Sequence, residues 1–259
     1  DMKITILGVL AGLLLLAIPF YVLFRYRLKV MGAVFVALVR MSLLLAVAGG
    51  VMYLTAMADS VAGTLGLSVL MAVAASLWTR WRSRLRARRC LIPVMSGMCS
   101  AALVVGLYVL VLVTGSDSPF SVSMVLPIFG IILGTVASCN ARALYAYYAG
   151  LENHRQIYDY LIGNGASHKK AVNTFVRRAL EANVIPQVRR MANVMVGVSP
   201  AMMWGMVLGG MDVPAAVVFD LLLTIAVLSA SVLSLVVAIT VARRYDFDEY
   251  QALRPGTGA

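Results

Sequence analysis

Residues 151–210 read LENHRQIYDYLIGNGASHKKAVNTFVRRALEANVIPQVRRMANVMVGVSPAMMWGMVLGG. The stretch starts polar, turns sharply at LIGNGAS (161–167), and continues as the basic segment HKKAVNTFVRRALEANVIPQVRR. It then becomes apolar, is broken at Ser199-Pro200, and closes on Gly209-Gly210. Apolar runs long enough to cross a bilayer flank it on both sides, so it is the largest piece placed to meet water. It reads as a polar elbow between membrane-crossing helices.

The totals agree with that reading. Of 259 residues, 61% are hydrophobic and 13% charged, with mean hydropathy +0.90. A soluble domain carries about a quarter charged residues, whereas each bilayer crossing takes roughly 20 apolar ones. The expected fold class is therefore all-α and polytopic. The net charge of +11 is concentrated in short loops beside the apolar runs, which marks cytoplasmic loops rather than a nucleic-acid face. Cys90, Cys99 and Cys139 are odd in number and lack metal-type or paired spacing, so they read as small packing residues.

Seven spans are expected in one domain covering 1–259, at about 4–24, 30–57, 60–79, 91–114, 122–147, 184–210 and 213–241. The first is longer than a signal-peptide core and its basic cluster follows it, so it reads as a retained span. With seven spans, the clusters at Arg25–Lys29, Arg80–Arg89, Lys169–Arg190 and Arg243–Arg244 all fall on one side. The positive-inside rule makes that side cytosolic, with the N-terminus outside and the C-terminus inside. The six arginines of RWRSRLRARR (80–89) anchor topology and, as a juxtamembrane cluster, attract anionic membrane lipid at about 1 kcal/mol per residue. G-x-x-x-G occurs at Gly8/Gly12, Gly130/Gly134 and Gly205/Gly209, where helices are expected to approach closely within the chain.

Enzymatic signatures are missing. There is no G-x-S-x-G, H-E-x-x-H or Walker A sequence, and GNGASHKKA lacks the G-K-[ST] ending that cradles phosphate. Both histidines, His154 and His168, lie in the polar stretch, so no base is available within the spans. An enzyme acting alone is not expected, and no residue set stands out as a metal site. The elbow has its own logic: Gly163, Asn164 and Gly165 tolerate left-handed backbone after a helix ending near Ile162, and Ser167 is placed to cap a helix starting at His168. Two short helices at a bend are expected.

Several motifs around the elbow carry a resemblance. LPIFGIILGT keeps Pro127, Gly130 and Gly134 of a pattern Pro-x-x-Gly-Met-Ile-Leu-Gly-Asn, with Thr135 for Asn. Asp159 precedes Gly165–Ala166–Ser167 by six positions, followed by Arg177–Ala179 and Ile185–Pro186. SPAMMWGMVLGG keeps Pro200, Met202, Met203, Gly205, Leu208 and Gly210 of Leu-Pro-Gly-Met-Met-Thr-Gly-Gln-Ile-Leu-x-Gly, departing at Ala201, Trp204 and Met206. Asp220 stands for a Gln, and Arg40 precedes Leu43–Leu44 where Gln-Leu is usual. On these residues the chain resembles the iron-export-type (Fet-type) permeases of bacterial ABC transporters, whose plant relatives act in aluminium tolerance.

The resemblance implies a multi-pass permease of the bacterial inner membrane, paired as a homodimer with two cytosolic ATPase chains that bind the ATP and magnesium. This chain would bind no cofactor itself. The segment at about 151–183 would hold the coupling helix, with Asp159, Gly163, Gly165, Ala166 and Ser167 meeting the ATPase. Pathway candidates are Arg40, Pro200, Met202, Met203, Gly205, Met206 and Asp220. Arg40 is about 15 Å into its span, where an ionised group costs about 2.5 kcal/mol or more, so it is expected to face Asp220 across the pathway, as a structural ion pair or a gate. Iron or another metal ion is the first expected cargo, and a small organic or lipid-like solute the alternative. An autonomous secondary transporter using Arg40 and Asp220 and a non-transporting scaffold are the other classes.

Overall fold

The computed structural model describes residues 14–25, 31–58, 61–83, 90–113, 120–196 and 199–246. All of its regular elements are helices, as the apolar runs dictate: a backbone crossing lipid must satisfy its own hydrogen bonds. Two compact units are present, Asp1–Ala58 and Asp59–Ala259. The first holds α1 (Ala17–Arg25) and α2 (Met31–Ala58).

The second unit begins with α3 (Val61–Arg82) and α4, which starts as Leu91–Ser100 and continues in wide π-type turns over Ala101–Gly106 and Val109–Val113. Next come α5 (Val122–Asn153), α6 (Arg155–Gly163), α7 (His168–Ala192), α8 (Ala201–Leu208) and α9 (Val213–Asp246).

Among the described residues, five stretches are long and apolar enough to span: Gly32–Met57, Ala62–Arg82, Leu91–Val111, Val122–Asn153 and Val213–Tyr245. Of the seven expected spans, residues 4–13 of the first lie outside the described residues, as does Gly8/Gly12. The sixth, expected over 184–210, is not one helix. Its first part is the end of α7, which runs through Pro186 to Ala192; the chain then breaks, with Met195 at φ 74°, and restarts as the eight-residue α8. At about 1.5 Å per residue α8 is ~12 Å long, less than half a bilayer.

Contacts fix the directions. Met71 packs on Gly130, and Thr79 Oγ1 reaches the Ala137 carbonyl at 3.4 Å, so α3 and α5 run in parallel. Phe175 lies against Gly150 while Asn183 bonds Asn140, so α7 runs antiparallel to α5. Leu223 and Val227 share one apolar cluster with Ile128–Ile132; Leu235 and Ile239 share another with Leu144–Leu151, making α9 parallel to α5. The ends of α3 and α9 and the start of α7 therefore lie at one end of the bundle, bringing Arg82, Arg243, Lys169 and Lys170 together there.

Helix packing uses different glycines from those expected. A side chain at Gly97 would overlap the Ser234 carbonyl, and one at Gly106 would press on the Phe129 ring at 3.1 Å. Gly134 and Gly205, by contrast, face open space, and Gly130 makes only ordinary contact with Met71. The G-x-x-x-G spacing at Gly130 and Gly205 is thus not where the described helices approach most closely.

Candidate functional site

The elbow at the basic end is built by a helix stop that the sequence encodes locally. Gly165 has φ +80°, which favours a residue without Cβ. Its N–H bonds the Ile162 carbonyl and the Ala166 N–H bonds that of Leu161, each at 3.0 Å, the paired closure of a Schellman motif. Two expectations are corrected. Asn164 is not left-handed (φ −85°), and Gly163 is the last residue of α6, so Gly165 alone makes the turn. Ser167 occupies the N-cap position, but its side chain makes no capping bond; its carbonyl serves instead, accepting from Lys170 and Ala171. The second helix is also not short, since α7 has 25 residues.

The elbow has two faces. Tyr158 is buried in a cluster with Ala171, Val172 and Phe175 of α7, and its hydroxyl lies 2.9 Å from His168 Nδ1. Burial, and secondarily the nearby Arg243 guanidinium, hold the His168 pKa below its ordinary 6.5, which biases the ring towards its neutral form. On the outer face Ile157 and Tyr160 are exposed, Tyr160 at 70%. Asp159 pairs there with Arg155 at 3.7 Å, an exposed pair of little energetic weight.

Midway along the bundle, five buried side chains from three helices form one network. Asn183 Nδ2 donates to Asn140 Oδ1 at 3.0 Å, and Asn140 Nδ2 donates to Ser234 Oγ at 2.7 Å. Gln187 Nε2 donates to Asn183 Oδ1 at 2.9 Å and to Ser231 Oγ at 2.7 Å. Ser231 Oγ reaches Asn183 Oδ1 at 3.0 Å. The network ties α5, α7 and α9 at the seam between the two apolar clusters. The sequence reading missed it. The usable signal was spacing: Asn183/Gln187 at i,i+4 and Ser231/Ser234 at i,i+3 each put two polar groups on one helix face.

Gln187 also lines a cavity of about 290 Å³ beneath the broken helix. Ser199, Pro200 and Met202 wall it on one side, Thr135 of α5 and Asp220 of α9 on others, and Arg190 comes from the end of α7. Thr135 is thirteen residues from the start of α5, about 20 Å along it, so Arg190 reaches well into the bundle. The last turn of α7, inside the span expected over 184–210, thus reaches this cavity.

Three pathway candidates, Pro200, Met202 and Asp220, thus share one site. Met203, Gly205 and Met206 lie on α8 but not in the cavity wall. Arg40 lies ten residues into α2, in the first unit; Asp220 belongs to the second. Among the described residues no three His, Cys, Asp or Glu side chains cluster as a metal site.

The site combines a carboxylate, a guanidinium, hydroxyls and thioethers with apolar walls at Ile131, Leu223 and Val227. That is the composition of a small-solute pocket, with a few polar groups orienting a ligand against an apolar surface. Irregular backbone at membrane depth is tolerated where it lines such a cavity, and discontinuous helices are a recurrent construction of transport sites.

The profile of UPF0014, described as an uncharacterised protein family, matches residues 6–247 of the chain. The UPF0014 membrane protein slr1647 of Synechocystis sp. is 32% identical over 148 residues, which is 56% of this chain and 56% of that protein. The match therefore spans little more than half the length of that relative. No solved structure gives a significant match.

Proposed function

The chain belongs to the UPF0014 family of membrane proteins, and from that premise we propose that it is the membrane-spanning subunit of an ABC exporter. A separate cytosolic ATPase binds the ATP and magnesium, and the solute passes through the cavity under the broken helix. The permease acts as a homodimer in the bacterial inner membrane with its basic end in the cytosol.

One observation carries this reading. The elbow and the cavity are joined by the same two helices: α5 and α7 connect through α6, and both contribute to the cavity wall, α5 at Ile131 and Thr135 and α7 at its last turns. The network through Asn140 and Asn183 locks the pair together between elbow and cavity. A displacement applied at Asp159–Ser167 is therefore delivered to Thr135, Gln187 and Arg190. The exposed Ile157 and Tyr160 give an ATPase an apolar ridge to grip, and the Gly165 stop keeps the elbow compact.

The resemblance in sequence puts iron or another metal ion first as cargo, with Asp220 and Met202 as the donors on offer. A second reading, a small organic solute, is favoured by the Arg190 guanidinium sharing the cavity with the Asp220 carboxylate. Opposite charges beside apolar walls suit a molecule bearing both polarities better than a bare cation.

The test is flux in proteoliposomes holding the chain with its cognate ABC ATPase. ATP-dependent movement of iron supports the first cargo, and movement of an organic solute with no metal flux supports the second. Failure of the chain to associate with any ABC ATPase, together with ATP-independent flux, overturns the exporter reading.

A further inference from the structure

A second concavity, of about 480 Å³, lies between α3 and α5 and is lined by Trp78, Arg82, Ser138, Ala141, Arg142 and Tyr145. Its two arginines are exposed, and the ion pairs among the described residues, Arg155–Asp159 and Arg177–Glu181, involve neither of them. Among the described residues no carboxylate lines the groove, and Arg142 meets the weak Cys139 Sγ acceptor at 3.6 Å. Among the described residues, then, two guanidinium groups sit at one groove with no counter-charge lining it, which suits an anion.

The depth of the groove identifies the anion. About 20 helical residues cross the hydrocarbon layer, and counting from Val122 at the start of α5 brings that layer's far edge to Arg142. The parallel register of α3 brings Arg82, at the end of its apolar run, to the same level. Trp78 and Tyr145 flank the site, 39% and 45% exposed, the residue types that mark headgroup level. Deeper along α3, Leu77 and Leu70 are also exposed, giving an apolar surface suited to acyl chains.

We propose that this groove binds an anionic phospholipid, with Arg82 and Arg142 on its phosphate, Trp78 against the glycerol and upper acyl chains, and Tyr145 at the headgroup. This goes beyond diffuse attraction by the 80–89 arginines, because it assigns a defined site with one arginine from each of two helices. It rests on residence in a membrane and not on the transport reading, so it stands or falls separately.

The test measures lipid retained by the purified full-length chain in native mass spectra, and its thermal midpoint, on adding phosphatidylglycerol, phosphatidylcholine or inorganic phosphate. Phosphatidylglycerol is expected to remain bound and raise the midpoint, while the other two do not. The double variant Arg82→Gln/Arg142→Gln is expected to bind phosphatidylglycerol about tenfold more weakly or worse, and Arg177→Gln, away from the groove, to bind it as before.

Equal retention of phosphatidylcholine, an equal effect of inorganic phosphate, or an unchanged double variant overturns the proposal. Should the double variant not fold, a photoactivatable phosphatidylglycerol on the unaltered chain decides. Labelling within residues 74–82 and 138–146 supports the site, and labelling confined to other segments, including a copy-to-copy contact covering the groove, overturns it.

Discussion

Asn183 of α7 donates its side-chain amide to Oδ1 of Asn140 on α5 at 3.0 Å, with both residues buried. This bond joins the two helices that run from the elbow to the cavity. Removing the Asn183 side chain would leave Asn140 Oδ1 without its donor and take one partner each from Gln187 and Ser231, which keep their bond to each other. Buried polar groups left without partners cost about 1–3 kcal/mol, although interhelical bonds in membrane proteins average less. Asn183→Ala is therefore expected to lower the thermal midpoint in detergent clearly, while exposed Asn173→Ala on the same helix leaves it unchanged. Equal midpoints for the two would dismiss the network as a structural tie.

The Gly165 turn separates conformational from steric cost. A Cβ there meets nothing within 4 Å, so any penalty comes from the φ of +80°. Gly165→Val should cost roughly 1 kcal/mol or more in the bend and abolish stimulated hydrolysis by the partner ATPase. Gly165→Asn, a residue that visits the left-handed region routinely, should retain most of it. Full stimulation in an assembled Gly165→Val complex would count against the elbow as the coupling element.

Glycines at superficially similar positions should behave oppositely. Gly97→Ala drives a methyl into the Ser234 carbonyl, and overpacking of this kind costs about 1–3 kcal/mol. Gly134→Ala meets nothing and gains helix propensity of roughly 1 kcal/mol. Thermal unfolding should rank Gly134→Ala at or above the unaltered chain and Gly97→Ala well below it. The reverse order would mean that the α4–α9 contact is wrong.

Elbow stability should fall on mild acidification. The His168 pKa is depressed below 6.5, first by burial and then by Arg243, so the unfolded state binds more protons in the window just below 6.5. Stability contributed by this group is present above that value and is lost as pH falls through the folded pKa. Protection of backbone amides over residues 155–175, measured against their intrinsic exchange rate at each pH, should fall below pH 6.5 relative to neutrality. His168→Gln should remove that loss of protection. A pH response identical in the variant would show that another group is responsible.

In the cavity, Asp220→Asn keeps size and removes charge. Loss of one charged hydrogen-bonding partner to a solute corresponds to about tenfold or more in affinity. ATP-driven flux at limiting solute should drop by that order, with assembly intact. Unaltered flux would remove Asp220 from the pathway.

Membrane residence, helical class and the elbow were legible in the chain alone. Hydropathy over 20 residues is a local property, and so is the need for left-handed backbone in LIGNGAS. Locality also explains the errors. Ser167 has the residue type of a cap, but whether its hydroxyl turns to the helix depends on its surroundings. The sixth span was expected to be interrupted at Pro200, yet the break begins earlier, near Asn193, after α7 has passed through Pro186.

What the tertiary structure alone decided is which polar groups meet. Asn140 lies 43 residues from Asn183 and 94 from Ser234, and Asp220 meets the Pro200 break and Arg190 only in the folded cavity. Such pairings depend on the rotation and relative height of neighbouring helices. Those are set by contacts such as Gly97 on Ser234, which no periodicity within a single helix encodes.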